Sequence, residues 1–374
     1  MNLARRSLLG AGVACAGGMQ WPSAWAAGRP SSKSTASVEL SIIYEQTSET
    51  GAQIVFPPVP GRDGYLYGVC QSYGPGGAGS AYRVAPDGSD SEVLHNFVHS
   101  VPNPQALTLG IDDHFYGVTT NPNYWGEFPS WLFRMSRKGE VIVLHGPLDW
   151  QLTGKLLRTR DGSLYATGRM ASDARRDVIV RISPRGQRLD LVHAFDRYVG
   201  GFMSLIEGSD GDLYGTCGDD GTKRRGSLFQ MHPHGFFKVL HNFKGHEYPN
   251  PTGLAQGASG VFYGTTASEK HYTRGSHFSF DVRTGEFAEL PYSQDRRNPA
   301  PGQMRARDGW LYGVCRRGQG SIYRMSEAGE VETLYEFTGG DDGGYPVQGY
   351  LLEVADGEFY GANGKGVYRL KVTG

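Results

Sequence analysis

From residue 38 onward the chain runs in short stretches of alternating apolar and polar residues, separated by tight-turn signals, and no stretch holds the period of an amphipathic helix. The alternation itself repeats. Tyr-Gly recurs at Tyr67, Tyr116, Tyr214, Tyr263, Tyr312 and Tyr360, with Tyr165-Ala166 filling the gap, at spacings of 49, 49, 49, 49, 49 and 48 residues. Four residues ahead of each tyrosine stands Asp63, Asp112, Asp161, Asp210, Asp308 or Asp356, with Ser259 as the exception. Gly follows that Asp in five of the seven units, the strongest short hairpin signal. A second alternating run follows each tyrosine (SAYRV, WLFRM, VIVRI, SLFQM, SHFSF, SIYRM, GVYRL), then a turn, then a third run such as EVLHNF or FKVLHNF. An apolar stretch before the Asp-Gly turn, such as GKLLRT or YLLEV, supplies a fourth.

Four short antiparallel strands per unit and seven units predict an all-β, seven-bladed β-propeller. The last unit stops after GVYRLKVTG without its fourth run, and residues 38–45 (VELSIIYE) carry the missing pattern. The N-terminal strand is therefore expected to complete the last blade and close the ring. Seven units of 49 residues account for 343 of the 348 residues in 27–374, so 38–374 is expected to be a single domain.

The units resemble the tandem-repeat family known by the name GloVer, whose repeats carry a G-x-LYG-T motif, a Gly-rich loop and a G-[ST]-x-[FY] strand. Matching segments are Gly211-Asp212-Leu213-Tyr214-Gly215-Thr216 and Gly226-Ser227-Leu228-Phe229. The chain departs from that pattern at Ala166 and at Val367, which replaces the Ser. The resemblance implies a secreted β-propeller and no single activity.

Composition narrows the picture. Gly at 55 residues is about twice the average share and aromatic content is 12 %, which excludes disorder and suits an all-β chain rich in turns. Charge is balanced, 37 Lys+Arg against 38 Asp+Glu, so nothing points to nucleic acid as a partner. Residues 1–26 read as an export signal: Arg5-Arg6, a small apolar stretch from Ser7 to Gly18, and Ala24-Trp25-Ala26 before the cut. The arginine pair resembles a twin-arginine signal, with the general secretory route as the other reading. Residues 27–37 read as a flexible tether. A periplasmic or secreted location is expected, with no transmembrane segment in the mature chain. Cys70, Cys217 and Cys315 remain after cleavage, an odd number that argues against a disulfide framework.

Loop lengths point to one face. Turns between the first and second strands of a unit, and between the third and fourth, hold two to four residues, whereas the other connections are long and differ from unit to unit. The long second-to-third-strand loops of units three to six (168–177, 217–226, 266–275 and 315–320) hold ten Arg/Lys and five Asp/Glu, with His271 and Tyr272 interleaved. Candidate substrate-binding residues there and in the neighbouring connections are Trp150, Arg169, Arg197, Tyr198, Arg224, Arg225, Arg296, Arg297 and Arg316. Units seven and one place Asp341, Asp342, Glu45 and Glu49 opposite. A cationic sector with flat rings suits an acidic polysaccharide, because guanidinium forks pair carboxylates and rings stack on sugars. The plainer reading is a solvated rim of charges.

His246 and Tyr248 share one connection of unit five, and His271, Tyr272 and Arg274 share another. His or Tyr can act as acid and base, and Arg can neutralise a carboxylate, as β-elimination of a uronic-acid polymer requires. In architecture and residue types the chain is similar to seven-bladed propeller polysaccharide lyases, ulvan lyases among them. These five residues are the catalytic candidates. The alternative is a non-catalytic propeller scaffold for a protein or glycan. No cofactor is expected: the one metal pairing to consider, Cys217 with His246, lacks any C-x-x-C or H-x-x-x-H spacing. His95, His145, His193 and His241 recur at one place in four units and are expected to be structural, tied by hydrogen bonds between blades.

Overall fold

The computed structural model describes residues 36–120, 130–170, 176–196, 199, 204–218, 226–244, 251–266, 275–290, 299–300, 302–346 and 349–374. These form seven sheets of four antiparallel strands, with no helix among the described residues. Strands a to d of each blade run outward from the ring's centre. Blade one, for example, is Val59–Pro60, Leu66–Cys70, Ser80–Val84 and Ser91–Asn96. Blade seven takes strands a to c from Leu352–Ala355, Glu358–Ala362 and Gly366–Thr373, and strand d from Ser37–Glu45. Pairing runs from Ser37 opposite Thr373 to Glu45 opposite Gly366, so the first described strand closes the ring on the last.

The repeat signature is a hydrogen bond. Tyr67 donates to Asp63 at 2.7 Å, Tyr116 to Asp112 at 2.9 Å, Tyr214 to Asp210 at 2.7 Å and Tyr312 to Asp308 at 2.8 Å. The same carboxylates accept a turn N–H two residues on, at Tyr65, Asp212 and Trp310, so one Asp fixes both the hairpin and the buried ring that follows it. Burial, and then the Asp112 carboxylate, pushes the Tyr116 phenol up to about 12, so it stays a donor. Blade seven differs: Tyr360 turns to Glu358 and to the Pro86 carbonyl of blade one, across the closing seam.

The glycine after each tyrosine makes room for an aromatic of strand c. A methyl group at Gly215 would strike the Phe229 ring and stand 2.6 Å from the Ser204 carbonyl oxygen. Equivalent glycines face Tyr82, Phe133, Phe278, Tyr323 and Tyr368. Blade three carries Ala166, and its register partner is Val180 where the other blades have a ring. The departure from the family pattern is thus matched by its own partner.

Apolar clusters lie between blades as well as within them. Tyr44, Ile43 and Val367 of blade seven pack with Tyr82 and Val84 of blade one. The recurrent histidines tie neighbouring blades together: His145 Nε2 lies 2.7 Å from the Gly186 carbonyl of blade three, and His95 is hydrogen-bonded to the Gly139 backbone of blade two. His193 and His241 stack on Phe237 and Phe287 of the next blade, each at 4.1 Å between ring centroids. On the face of the short turns, side chains clasp the next blade: Arg160 N donates to Glu207 (2.9 Å), Ser209 N to Gln256 (2.8 Å) and Arg307 N to Glu353 (2.9 Å). That face is occupied in holding the ring together. The long connections leave from the other face.

One core position is acid-labile. His277 of blade five stands where blades two and four have Leu132 and Leu228, and is 2 % exposed with Nε2 3.0 Å from the Tyr323 hydroxyl of blade six. Burial lowers its pKa from 6.5 to about 4. The folded state keeps the ring neutral while the unfolded chain takes up a proton, so stability falls as pH drops from about 6.5 to about 4 and this group adds no further loss below that. A shift of that size corresponds to about 3 kcal/mol. Denaturant melts at pH 7 and pH 4.5 should show a loss of that order in the parent and a smaller one in His277→Leu. Equal losses in both proteins would remove His277 as the cause.

Candidate functional site: the central channel and its loop face

Strand a of each blade lines the centre of the ring. Strand a of blade three, Trp150–Arg158, pairs Trp150 with Met170 beside a long loop and Arg158 with Leu164 beside a short turn, so it runs the depth of the channel. Between the pairs Thr153–Thr167 and Leu157–Tyr165 it carries two extra residues, and Gly154 sits at φ +77°. This bulge lies on the channel wall, and Lys155 projects from it into the lumen. Lys155 is ten residues ahead of Tyr165. The equivalent residues of the other blades are Pro57, Ala106, Ser204, Gly253, Gly302 and Tyr350, five of them small or Pro.

The two exceptions shape the cavity. Tyr350 lies against Gly302, where a Cβ would come within 2.6 Å of its ring, and its hydroxyl is hydrogen-bonded to Ser204 of blade four. Its ring stands 5.5 Å from that of Phe56. Tyr350 thus reaches from blade seven to blade four and narrows that side of the channel. The remaining cavity, about 640 Å³, is bounded mainly by strands a of blades one to three. Its lining includes Lys155 and Arg158 but no Asp or Glu. Arg158 is held to the wall, Nη1 donating to the Leu109 carbonyl at 3.0 Å. Lys155 is exposed to the lumen, and among the described residues no hydrogen bond or ion pair holds it. Protein surrounds it closely enough that desolvation lowers its pKa.

Of the residues singled out from sequence, His246, Tyr248, His271, Tyr272, Arg274, Arg197, Tyr198, Arg224, Arg225, Arg296 and Arg297 lie outside the described residues. The other three are placed. Trp150 is half-buried at the loop-face end of strand a and packs against the core of blades two and three. Arg169 Nε is 3.3 Å from Asp177, its partner across strands b and c, and the buried Asp177 carboxylate also accepts the Val199 N–H at 2.8 Å. Arg316 is exposed on the blade-six loop, with crowding by protein lowering its pKa.

The acidic sector expected opposite is less acidic than its sequence. Asp342 accepts from Tyr335, the Thr338 N–H and the Thr338 hydroxyl, so it closes a turn. Lys365 Nζ lies 3.3 Å from Glu45 and 3.9 Å from Asp341, joining the two ends of the ring. Cys70, Cys217 and Cys315 are buried thiols. His246 of the Cys217–His246 pairing is outside the described residues. Among the described residues no three His, Cys, Asp or Glu side chains converge to hold a metal ion. Sequence reasoning passed over Lys155, Tyr350 and His277. A column-by-column comparison of the 49-residue units exposes all three as departures from their neighbours.

Comparison with known proteins agrees with this architecture. No curated protein matches the sequence. Among solved structures, virginiamycin B lyase from Staphylococcus aureus superposes with a TM-score of 0.62 at 14 % identity, over 90 % of this chain and 99 % of that one. Oligogalacturonate lyase from Vibrio parahaemolyticus gives 0.58 at 11 % identity, over 91 % and 98 %. An oligogalacturonate lyase in complex with manganese gives 0.58 at 13 %, over 92 % and 98 %. At such identities the likeness is one of fold. Residues 202–371 match the Gloeobacter/Verrucomicrobia repeat, and the described residues form a seven-bladed propeller.

Proposed function

We propose that the protein is an exported propeller that binds an acidic polysaccharide across its loop face, and that blade five cleaves uronic-acid linkages by β-elimination. The observation that carries the reading is the division of labour between the two faces. The short turns are committed to fastening blades, while the long connections of units three to six are basic in sequence, and the described lining of the channel holds no carboxylate. A polyanion meets little repulsion there, and arginines on the loops pair its carboxylates. The oligogalacturonate lyases of like fold are consistent with a uronate chain as ligand.

In the elimination step an arginine neutralises the sugar carboxylate and so acidifies the adjacent C–H. A His or Tyr takes that proton, a C=C bond forms as the C–O bond to the leaving sugar breaks, and a second acid protonates the departing oxygen. His246, Tyr248, His271, Tyr272 and Arg274 supply those groups in this reading. Incubation with a panel of acidic polysaccharides should raise the ultraviolet absorbance of the unsaturated uronate product. Tyr248→Phe and His271→Ala should abolish that rise with the melting temperature nearly unchanged. Binding without any rise would leave a glycan-binding propeller. Failure to retain any acidic polymer would overturn the proposal in favour of a protein scaffold, for which the exposed Ile142, Leu191 and Phe236 offer contact surface.

A further inference from the structure

Among the described residues, the channel lining holds the Lys155 ammonium and no Asp or Glu. A cation drawn away from bulk water is normally paired or driven to lose its proton. Lys155 stands in a protein-walled lumen, holds no partner among the described residues, and has no Asp or Glu beside it in the lining. Its placement needs a local device: two inserted residues and a left-handed Gly154 carry it off the regular strand. None of the other six blades has a charged residue at that position, and four of them have Gly, Ala or Ser. A helical or sheet dipole does not account for it, and no structural contact among the described residues does either. Thr153, Thr167 and Phe56 line the same space. The volume, about 640 Å³, lies in the range of small-molecule sites.

We propose that Lys155 is the counter-ion of a carboxylate in the lumen, where the propeller binds one small polyhydroxylated monocarboxylate, a sugar acid. The carboxylate meets Nζ, the sugar hydroxyls meet Thr153 and Thr167, and a C–H face of the ring packs on Phe56. The inference deepens the polysaccharide reading, since a uronate is such an acid, but it does not require a polymer on the rim. The ligand carboxylate also supplies the counter-charge that the described lining lacks.

The test uses the mature protein with D-galacturonate, galactose as the uncharged analogue, and acetate as the bare carboxylate, each titrated by calorimetry. Galacturonate should bind at one site, galactose and acetate at least tenfold more weakly, and Lys155→Met should weaken galacturonate at least tenfold. An amine-acylating reagent read out by peptide mass spectrometry should label Lys155, with galacturonate protecting it. Because no described contact depends on the ammonium, Lys155→Met should melt no lower than the parent. Undiminished galacturonate binding by Lys155→Met, or none by the parent, overturns the proposal. Acetate binding as tightly as galacturonate overturns its sugar component. Polymer retention that survives Lys155→Met, with no monomer bound, would refute this site and spare the rim. Monomer binding without polymer retention would do the reverse.

Discussion

A chain lacking residues 38–45 should melt at least about 10 °C below the parent and should self-associate. The strand pairs with Gly366–Thr373 along its length, and its removal leaves that strand as an open edge. It also strips Ile43 and Tyr44, which are 7 % and 5 % exposed, from the seam between the last blade and the first. The Tyr44 ring stacks on Tyr82 of blade one at 4.0 Å and 12°. Burial of two such side chains contributes about 3–6 kcal/mol, and a domain of this size loses about 2 °C per kcal/mol, before the lost ladder and the exposed edge are counted. Tyr44→Ala keeps the ladder and removes the stack, so it should fall between parent and truncation. Calorimetry with light scattering reads both effects. A truncated protein melting within about two degrees of the parent, and monomeric, would mean that closure does not hold the ring.

The ring could be read from the sequence because its physics repeats. A buried tyrosine hydrogen-bonded to an aspartate four residues earlier recurs in blades one, two, four and six, and the 49-residue period of the tyrosine reports seven copies of one hairpin. The closing strand was legible for the same reason: VELSIIYE has the pattern the last unit lacks. The four recurrent histidines fit too: each reaches the next blade, and two of them stack on its phenylalanine. The site is harder to read because it consists of departures from the repeat. Lys155 lies in GKLLRT, an apolar run that looks like any other inner strand, and nothing in a linear pattern says which side chain meets the lumen. Charge counts mislead in the opposite direction. Asp341, Asp342 and Glu45 look like an acidic surface in sequence, yet Asp342 closes a turn and Lys365 spans the other two. Loops 245–250 and 267–274 of blade five differ in sequence from the corresponding connections of the other units, so the repeat offers no template for them.

The exchange of size between strands b and c gives the sharpest test of how the repeat packs. Gly215→Ala should destabilise the protein by about 1–3 kcal/mol, since the new methyl meets both the Phe229 ring and the Ser204 carbonyl in a core with no slack. Phe229→Val alone should cost about as much by leaving a cavity. Together they reproduce the small pair that blade three already uses, Ala166 opposite Val180. The double variant should therefore lose less than the sum of the singles, with a coupling of about 1–2 kcal/mol. Blade three should answer in mirror image. Val180→Phe would drive a ring into the Ala166 methyl, the collision every other blade avoids with glycine, and should be among the most damaging single changes in the chain. Adding Ala166→Gly should restore most of the lost stability, because it rebuilds the pair found at Gly215 and Phe229. Urea melts of the four blade-three proteins, parent included, measure this directly. Additive losses would mean that the glycine is kept for its backbone and not for the ring above it. Rescue specific to the matched pair would show that each blade sets its own b-to-c spacing by trading one methyl against one aromatic ring.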